Sequence, residues 1–205
     1  MTFTVTTPAT DRSLLTLAEL KTAAGVSDSS KDASLTTLGN RVAALIARAC
    51  NLRTGGAVPP TLRLETITET FRPNGYTEVL ILSRSPVVSI ASVTEVGTLL
   101  GVDDFQNSDG ALERLSGGEP SCWAAGSVPV VYTAGWETVP DDLKMAAVKF
   151  VQAEWQQGDR DPLLMSKSIE GVSEYRWWVD PTKDSVVPAD VMSILKEGGY
   201  IKMWI

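Results

Sequence analysis

The sequence predicts an α+β protein: a mainly α-helical core of about four helices carrying an inserted small antiparallel β meander or barrel. Three observations predict it. Apolar residues recur at three- and four-residue spacing near both ends of the chain. Between them, Thr-rich and β-branched runs alternate with Asn-Gly, Asp-Gly and Gly-Gly turns. Helical spacing then returns in "VPDDLKMAAVKFVQAEW", directly after the strand-like "VPVVYTA".

The first helix has a strong start. Thr16 and Glu19 form a T-x-x-E capping box, with Leu15 and Leu20 at the staple positions, and Gly25 ends the helix. Ser27 to Asp32 is a turn with caps. A longer helix runs from there to about Asn51, with Leu35, Leu38, Val42, Leu45, Ile46 and Ala49 on one apolar stripe. Arg41 and Arg48 share another face. "TGGAVPP", Thr54 to Pro60, breaks the helix and reads as a linker.

Strand signals follow. "LETITETF", "EVLIL", "PVVSIASVTEV" and "VPVVYTA" are strand-like, and Asn74-Gly75 carries the signal of a tight hairpin. Asp109-Gly110 and the "SGGEP" run from Ser116 mark further turns. About five or six strands are expected in this region. The strand then breaks at Ala134-Gly135, turns on Trp136 and enters a helix at Pro140, whose missing N–H costs nothing there. Asp141 and Asp142 complement the helix dipole. Leu143, Ala146, Ala147 and Phe150, widened by Met145, Val148, Val151 and Trp155, leave little polar face, which predicts burial on several sides and against a second subunit. "VPADV" repeats the same start near the C-terminus, and Gly198-Gly199 ends the short helix. "SEYRWWV" alternates as a strand with large aromatics on both faces. All six tryptophans lie after residue 120. Tyr175, Trp177 and Trp178, with Tyr200 and Trp204, therefore read as a partner surface.

Composition excludes several classes. The 205 residues carry 18 basic and 25 acidic side chains, a net charge of −7, which argues against non-specific binding to polyanions or anionic membranes. Mean hydropathy is near zero, and no apolar run is long enough to span a membrane. The N-terminus lacks the basic start and apolar stretch of a signal peptide. Cys50 and Cys122 read as free buried thiols in a reducing cytoplasm; a disulfide between them stays open as the alternative.

No catalytic constellation emerges. There is no histidine, which removes Ser-His-Asp triads and His-containing zinc sites. No phosphate-binding or nucleophile-elbow motif occurs. Catalytic, cofactor and metal residues are therefore all read as none. Asp103-Asp104 reads as a polar loop, since adjacent strand residues point to opposite faces and do not converge. Asp141-Asp142 is helix-start chemistry, and Asp159 to Asp161 a solvated loop. Ser166 or Ser168 with Lys167 is a Ser–Lys pair on paper, with nothing nearby to depress the lysine. The Arg41/Arg48 face suits either phosphate or, more simply, solvent and intersubunit ion pairs.

The order of parts resembles a known family. "LLTLAELKTAAGV" and a long helix, "RSPVVSIASVTEVG", "VPVVYTAGWETVPDDLKMAAVKFVQAEW" and "SKSIEGVSEYRWW" before a short helix are together similar to the head–tail connector proteins of long-tailed bacteriophages and prophages. These are also called adaptor or head-completion proteins. The resemblance runs from about Leu14 to Leu195; the long β-insertion and the aromatic tail depart from the smallest members. It implies a structural, non-enzymatic role as a ring, typically dodecameric, beneath the capsid portal in the virion neck. Such a ring, assembled in the bacterial host cytoplasm, extends the DNA channel and docks stopper or tail-completion proteins, and DNA passes without sequence-specific binding. No cofactor is implied. A stopper or tail-completion protein of the same particle is the alternative, and an enzyme of unfamiliar type a further one.

On this reading, residues 1–13 are an N-terminal arm, 14–53 the N-terminal helices and 54–135 the β insertion. Residues 136–158 are the buried helix that completes the helical core, and 159–205 the aromatic-rich extension. The expected interface residues are Phe150, Trp155, Tyr175, Trp177, Trp178, Tyr200, Trp204, Arg41 and Arg48. The strand-to-helix corner is expected to hold the β-part at a fixed angle in every copy, and the arginines of 33–64 to pair with acids of adjacent copies.

Overall fold

The computed structural model describes residues 1–55, 58–158, 166–169, 173–176 and 186–201, with the backbone alone for 157–158 and for the two short segments. The chain forms two compact units. One comprises Met1–Arg12 and Cys50–Pro140; the other comprises Ser13–Ala49 and Asp141–Ile201.

The first unit is built of strands. They are β1 (Thr2–Thr7), β2 (Glu65–Phe71), β3 (Val79–Ile81), β4 (Val87–Glu95), β5 (Thr98–Leu99), β6 (Phe105–Ser108), β7 (Ala111–Ser116), β8 (Glu119–Ser121) and β9 (Val128–Ala134). One antiparallel sheet runs β1-β2-β9-β4-β5 and a second runs β3-β7-β6, with β8 also on β7. The strands are thus more extensive than a small inserted meander, and helices do not dominate the chain; the mixed α+β class holds. Ile67, Phe71, Leu80, Val93, Leu112, Trp123, Val130 and Tyr132 belong to one enclosed apolar cluster fed by both sheets.

Turn chemistry explains the register. Asp109-Gly110 and Gly117-Gly118 have positive φ at both residues, which matches the twist of the hairpins β6-β7 and β7-β8. Val96-Gly97 does the same between β4 and β5, at a position that carried no predicted turn. Asn74-Gly75 makes no hairpin. The Asn74 Oδ1 accepts from Tyr76 N–H at 3.0 Å and Thr77 Oγ1 at 3.2 Å, an Asx turn that carries the chain from one sheet to the other. Asp103 and Asp104 lie in a 3₁₀ turn, Val102–Asp104, rather than a strand. There Asp104 accepts from Gly101 N–H at 2.8 Å.

The corner after β9 rests on a glycine. Gly135 has φ +106°, and a Cβ there would sit 2.4 Å from the Arg63 carbonyl oxygen. Its N–H donates to Pro86 at 2.9 Å, and Trp136 N–H donates to Leu62 at 2.9 Å. Leu64 N–H donates back to Trp136 at 3.2 Å. Only a residue without a side chain lets the backbone of 62–64 close on the turn.

The second unit holds α1 (Leu17–Ala24), α2 (Asp32–Ala49), α3 (Asp141–Gly158) and α4 (Ala189–Glu197), with a β10 (Ser166–Ile169) to β11 (Ser173–Arg176) hairpin. Thr16 and Glu19 form the expected capping box, and Gly25 closes α1 in the left-handed region. Leu20 meets α2 at Gly39, where a Cβ would lie 2.9 Å from its Cδ1. Leu35, Val42 and Ile46 of α2 are buried, as are Leu143, Ala146, Ala147, Phe150 and Val151 of α3. The α3 helix does keep a solvent stripe, contrary to the sequence expectation. Asp141, Met145, Lys149, Gln152 and Gln156 are exposed, spaced by three or four residues along one face. Pro140 and Pro188 each stand immediately before the first helical residue.

Candidate functional site

In the helical unit, α2 and α3 enclose an open groove of about 550 Å³. Lys31, Ala33, Ser34, Thr37, Leu38 and Arg41 line one side, Glu154 and Trp155 the other. Arg41 Nη2 stands 2.6 Å from Glu154 Oε2 and bridges the two helices. The structure therefore brings together two of the expected interface residues, Arg41 and Trp155. Arg48 lies exposed on α2, outside this lining. An ion pair beside a half-buried indole suits recognition of a protein surface.

The other expected residues separate. Phe150 is fully buried and belongs to the chain's own core. Tyr200 is committed locally: its hydroxyl donates to Asp142 Oδ1 at 2.6 Å. Tyr175 lies in β11, opposite Lys167 of β10. Trp177, Trp178 and Trp204 lie outside the described residues, as does the loop at Asp159 to Asp161. Within the chain, Arg41 pairs with Glu154 and Arg53 with Glu69. Of the two cysteines, Cys50 is buried, and burial pushes its thiol up to about 12. Cys122 is exposed, correcting the expectation that both are enclosed. It sits between Ser121 at the end of β8 and the fully buried Trp123, where the alternation of sides turns it outward.

The β-unit contains a charged cluster that sequence reasoning missed. Glu65, Glu69 and Arg84 are 2%, 0% and 1% exposed. Glu69 accepts from Ser83 N–H at 2.9 Å, from the Ser83 hydroxyl, and from Tyr132 OH at 2.9 Å. Arg53 Nη1 approaches Glu69 at 3.6 Å, and Arg84 Nη2 approaches Glu65 at 3.7 Å. Arg84 also donates to the carbonyls of Thr61 and, at 3.2 Å, Arg53, and stands 5.7 Å from the centre of the Phe3 ring. Ala9 N–H donates to Glu65 at 3.4 Å. Burial drives the Glu65 carboxyl above its ordinary range, opposed by the neighbouring Arg84. Burial likewise lowers Arg84 and raises the Tyr132 phenol. The signal was present in "ETITETF": period-2 alternation places Glu65 and Glu69 on the same face as Ile67 and Phe71.

Perturbed titratable groups often mark active sites, but this cluster is closed to solvent. Ser83 and Glu69 do form a hydroxyl–carboxylate pair, but both are 0% exposed, so no substrate reaches them. The cluster instead ties segments at Phe3, Ala9, Arg53, Thr61 and Ser83-Arg84 onto β2. Among the described residues, no group of three or more Cys, Asp or Glu is placed to hold a metal. No described helix is long and apolar enough to cross a membrane.

Comparison with known proteins adds the family. A family model described as Head completion protein matches residues 13–197. The chain belongs to the head completion protein family. The match takes in α1 through α4 and all of β2 to β11; β1 precedes it. No curated protein matches this head completion protein in sequence. Solved structures share its fold. A chain from "Neck of empty GTA particle computed with C6 symmetry" aligns with TM-score 0.59 at 15% identity, covering 100% of this chain and 97% of the other. Chains from the virion of a native gene transfer agent (GTA) particle and from the neck of that native particle, computed with C12 symmetry, each give TM-score 0.58 at 16% identity over the same shares.

Proposed function

We propose that this head completion protein is a structural component of the virion neck. In this reading it forms a ring adaptor, a dodecamer, between the capsid portal and the stopper or tail-completion protein, and extends the DNA channel. The observation that carries the reading is the family match across residues 13–197. Likeness to neck chains of gene transfer agent particles supports it at the level of fold. The groove holding Arg41, Glu154 and Trp155 is the surface offered to a neighbouring copy, and Arg48 extends it along α2. Tyr175, Trp177, Trp178 and Trp204 supply the contact with the portal. The ring assembles in the host cytoplasm and needs no cofactor.

DNA passes through without being held. Affinity for duplex DNA comes mainly from Lys and Arg neutralising phosphates. Each copy carries a net charge of −7, and Arg41 and Arg53 are already paired within the chain. The test is imaging of the purified protein with and without its portal. A ring seated on the portal is expected; a protein that stays monomeric with the portal present, or that binds elsewhere on the particle, overturns the proposal.

A further inference from the structure

The second sheet of the β-unit has two open edges. In β3, Leu80 lies opposite Leu112, and Leu82 N–H donates to the Gly110 carbonyl at 2.8 Å. Antiparallel ladders alternate, so the N–H and C=O groups of Val79 and Ile81 point away from β7. On the other side of β7, the two-residue Asp109-Gly110 turn makes Ser108 and Ala111 a bonded pair, and Gln106 and Glu113 the next. Phe105 and Asn107 therefore turn their backbone groups outward. Among the described residues, none bonds the outward backbone groups of Val79, Ile81, Phe105 or Asn107. Trp123 N–H closes the edge at the Thr77 carbonyl, 2.8 Å away, and leaves it open from Val79 onward.

These edges lack the usual protection. Neither β3 (Val-Leu-Ile) nor β6 (Phe-Gln-Asn-Ser) contains a proline or a charge. Val79 and Ile81 are 36% and 60% exposed, while Leu80 is buried in the apolar cluster and Phe105 packs against it. Each edge offers two donors and two acceptors. An unprotected edge of this kind is a template for another strand.

We infer that β6 of one copy pairs with β3 of the next. The inference rests on the ring reading above and names the contact that builds it. Both β3 and β6 run antiparallel to β7, so they are parallel to one another. Joining opposite edges of the same sheet gives a heterologous contact, which propagates in one sense and closes as a ring. The buried side of the sheet continues from Phe105 to the next copy's Leu80. Pairing of β3 with itself would instead give a closed dimer.

The experiment uses the full chain, with portal present. Ile81→Pro and Asn107→Pro each delete one outward N–H and spare the ladder to β7; Asn107→Pro also removes the acceptor for Gly110 N–H in the turn, 3.1 Å away, so Ile81→Pro is the cleaner of the two. Each is expected to raise the concentration for half-assembly by about tenfold or more. A second measurement stands apart from any folding defect: Ile81→Cys with Gln106→Cys in one chain that also carries Cys122→Ser. Within one copy these positions lie two strands apart, out of disulfide range. Oxidation is expected to give a covalent ladder up to the closed ring. Dimers alone would show an edge pairing with itself and overturn the inference. Monomers alone, beside intact rings of the unmodified protein, would overturn the edge contact and leave the ring reading standing. Absence of any ring from the unmodified protein with its portal would sink that reading and this inference with it.

Discussion

In the helical unit, charged pairs meet at the surface; in the β-unit, Glu65, Glu69 and Arg84 stand where water does not reach. Lys144 pairs with Glu19 at 2.9 Å and Arg41 with Glu154 at 2.6 Å, with every partner at least 23% exposed at its side chain. Arg84 and Glu65 are 2% and 1% exposed at theirs. The helices satisfy their own backbone groups, so their packing needs only apolar faces. The β-unit must also hold the irregular segments around Ala9, Arg53 and Thr61, and their carbonyls and N–H groups need buried partners. Arg84 and the two glutamates supply them. The same polarity that is dispensable in one unit is structural in the other.

The strongest way to break this comparison is to remove one buried charge. Arg84→Met leaves Glu65 without its cation, while Glu69 keeps Arg53, and is expected to destabilise the β-unit by about 3–5 kcal/mol. Adding Glu65→Leu should recover much of the loss, because an apolar pair needs no counter-charge. Denaturant unfolding, resolved by hydrogen exchange in β2 and β9, measures both. A single variant that unfolds like the native chain would mean that water already solvates the cluster.

The matching change in the helical unit is apolar. Phe150 is fully buried in α3, and Phe150→Ala is expected to cost about 3–5 kcal/mol through lost transfer energy and a residual cavity. Loss of exchange protection should centre on α2 and α3. Loss confined to the β-unit would contradict the division of the core between the units.

Gly135→Ala probes the corner. Its φ of +106° and the 2.4 Å approach of the Arg63 carbonyl leave no room for a methyl group. The expected cost is about 1–3 kcal/mol of backbone strain, with exchange rising first at the N–H groups of Leu64 and Trp136. Native stability in this variant would mean that 62–64 can move aside freely.

These three sites differ in how far the sequence disclosed them. Phe150 was legible, because helical spacing is a local pattern, and so were the Thr16–Glu19 box and the Asp109-Gly110 turn. The corner at Gly135 was legible as a turn, but not the close approach of 62–64, which depends on a segment some seventy residues earlier. The Arg84 cluster was not legible as a cluster. Glu65 and Glu69 share a face with Ile67 and Phe71, yet the partner that makes their burial tolerable arrives from another part of the chain. Asn74-Gly75 misled for a similar reason: the Asn74 side chain makes the turn itself, so the dipeptide joins two sheets instead of two neighbouring strands. In the candidate interface, Arg41 and Trp155 were both nominated, but their convergence on one groove follows from how α2 packs on α3, which neither segment encodes alone.

A smaller effect is expected at the first cap of the helical unit. Thr16→Ala removes the acceptor for Glu19 N–H, 3.3 Å away, and should cost about 1 kcal/mol. Thermal unfolding measures it. A cost well above that would show Thr16 supporting more than the end of α1.

The smallest effect sharpens the comparison through pH. The bond from Thr16 N–H, and then Lys144, hold the Glu19 carboxyl below its ordinary value of 4.5. A lowered carboxyl contributes stability that is complete above 4.5 and is lost as pH falls through the lowered value. Glu65 has the opposite sign, because burial raises it. Its charged form is penalised at neutral pH, and acidification through the raised value toward 4.5 relieves that penalty. Mild acid should therefore weaken the Glu19 contribution in the helical unit while easing the Glu65 burden in the β-unit. Glu19 is a third exposed at its side chain, so its share is at most about 0.5 kcal/mol. Glu19→Gln should flatten the acid loss of stability in α1 and leave the β-unit profile unchanged. The check is hydrogen exchange, corrected for intrinsic rates, at several pH values on either side of 4.5. An unchanged α1 profile in the variant would assign the acid sensitivity of that helix to another carboxylate.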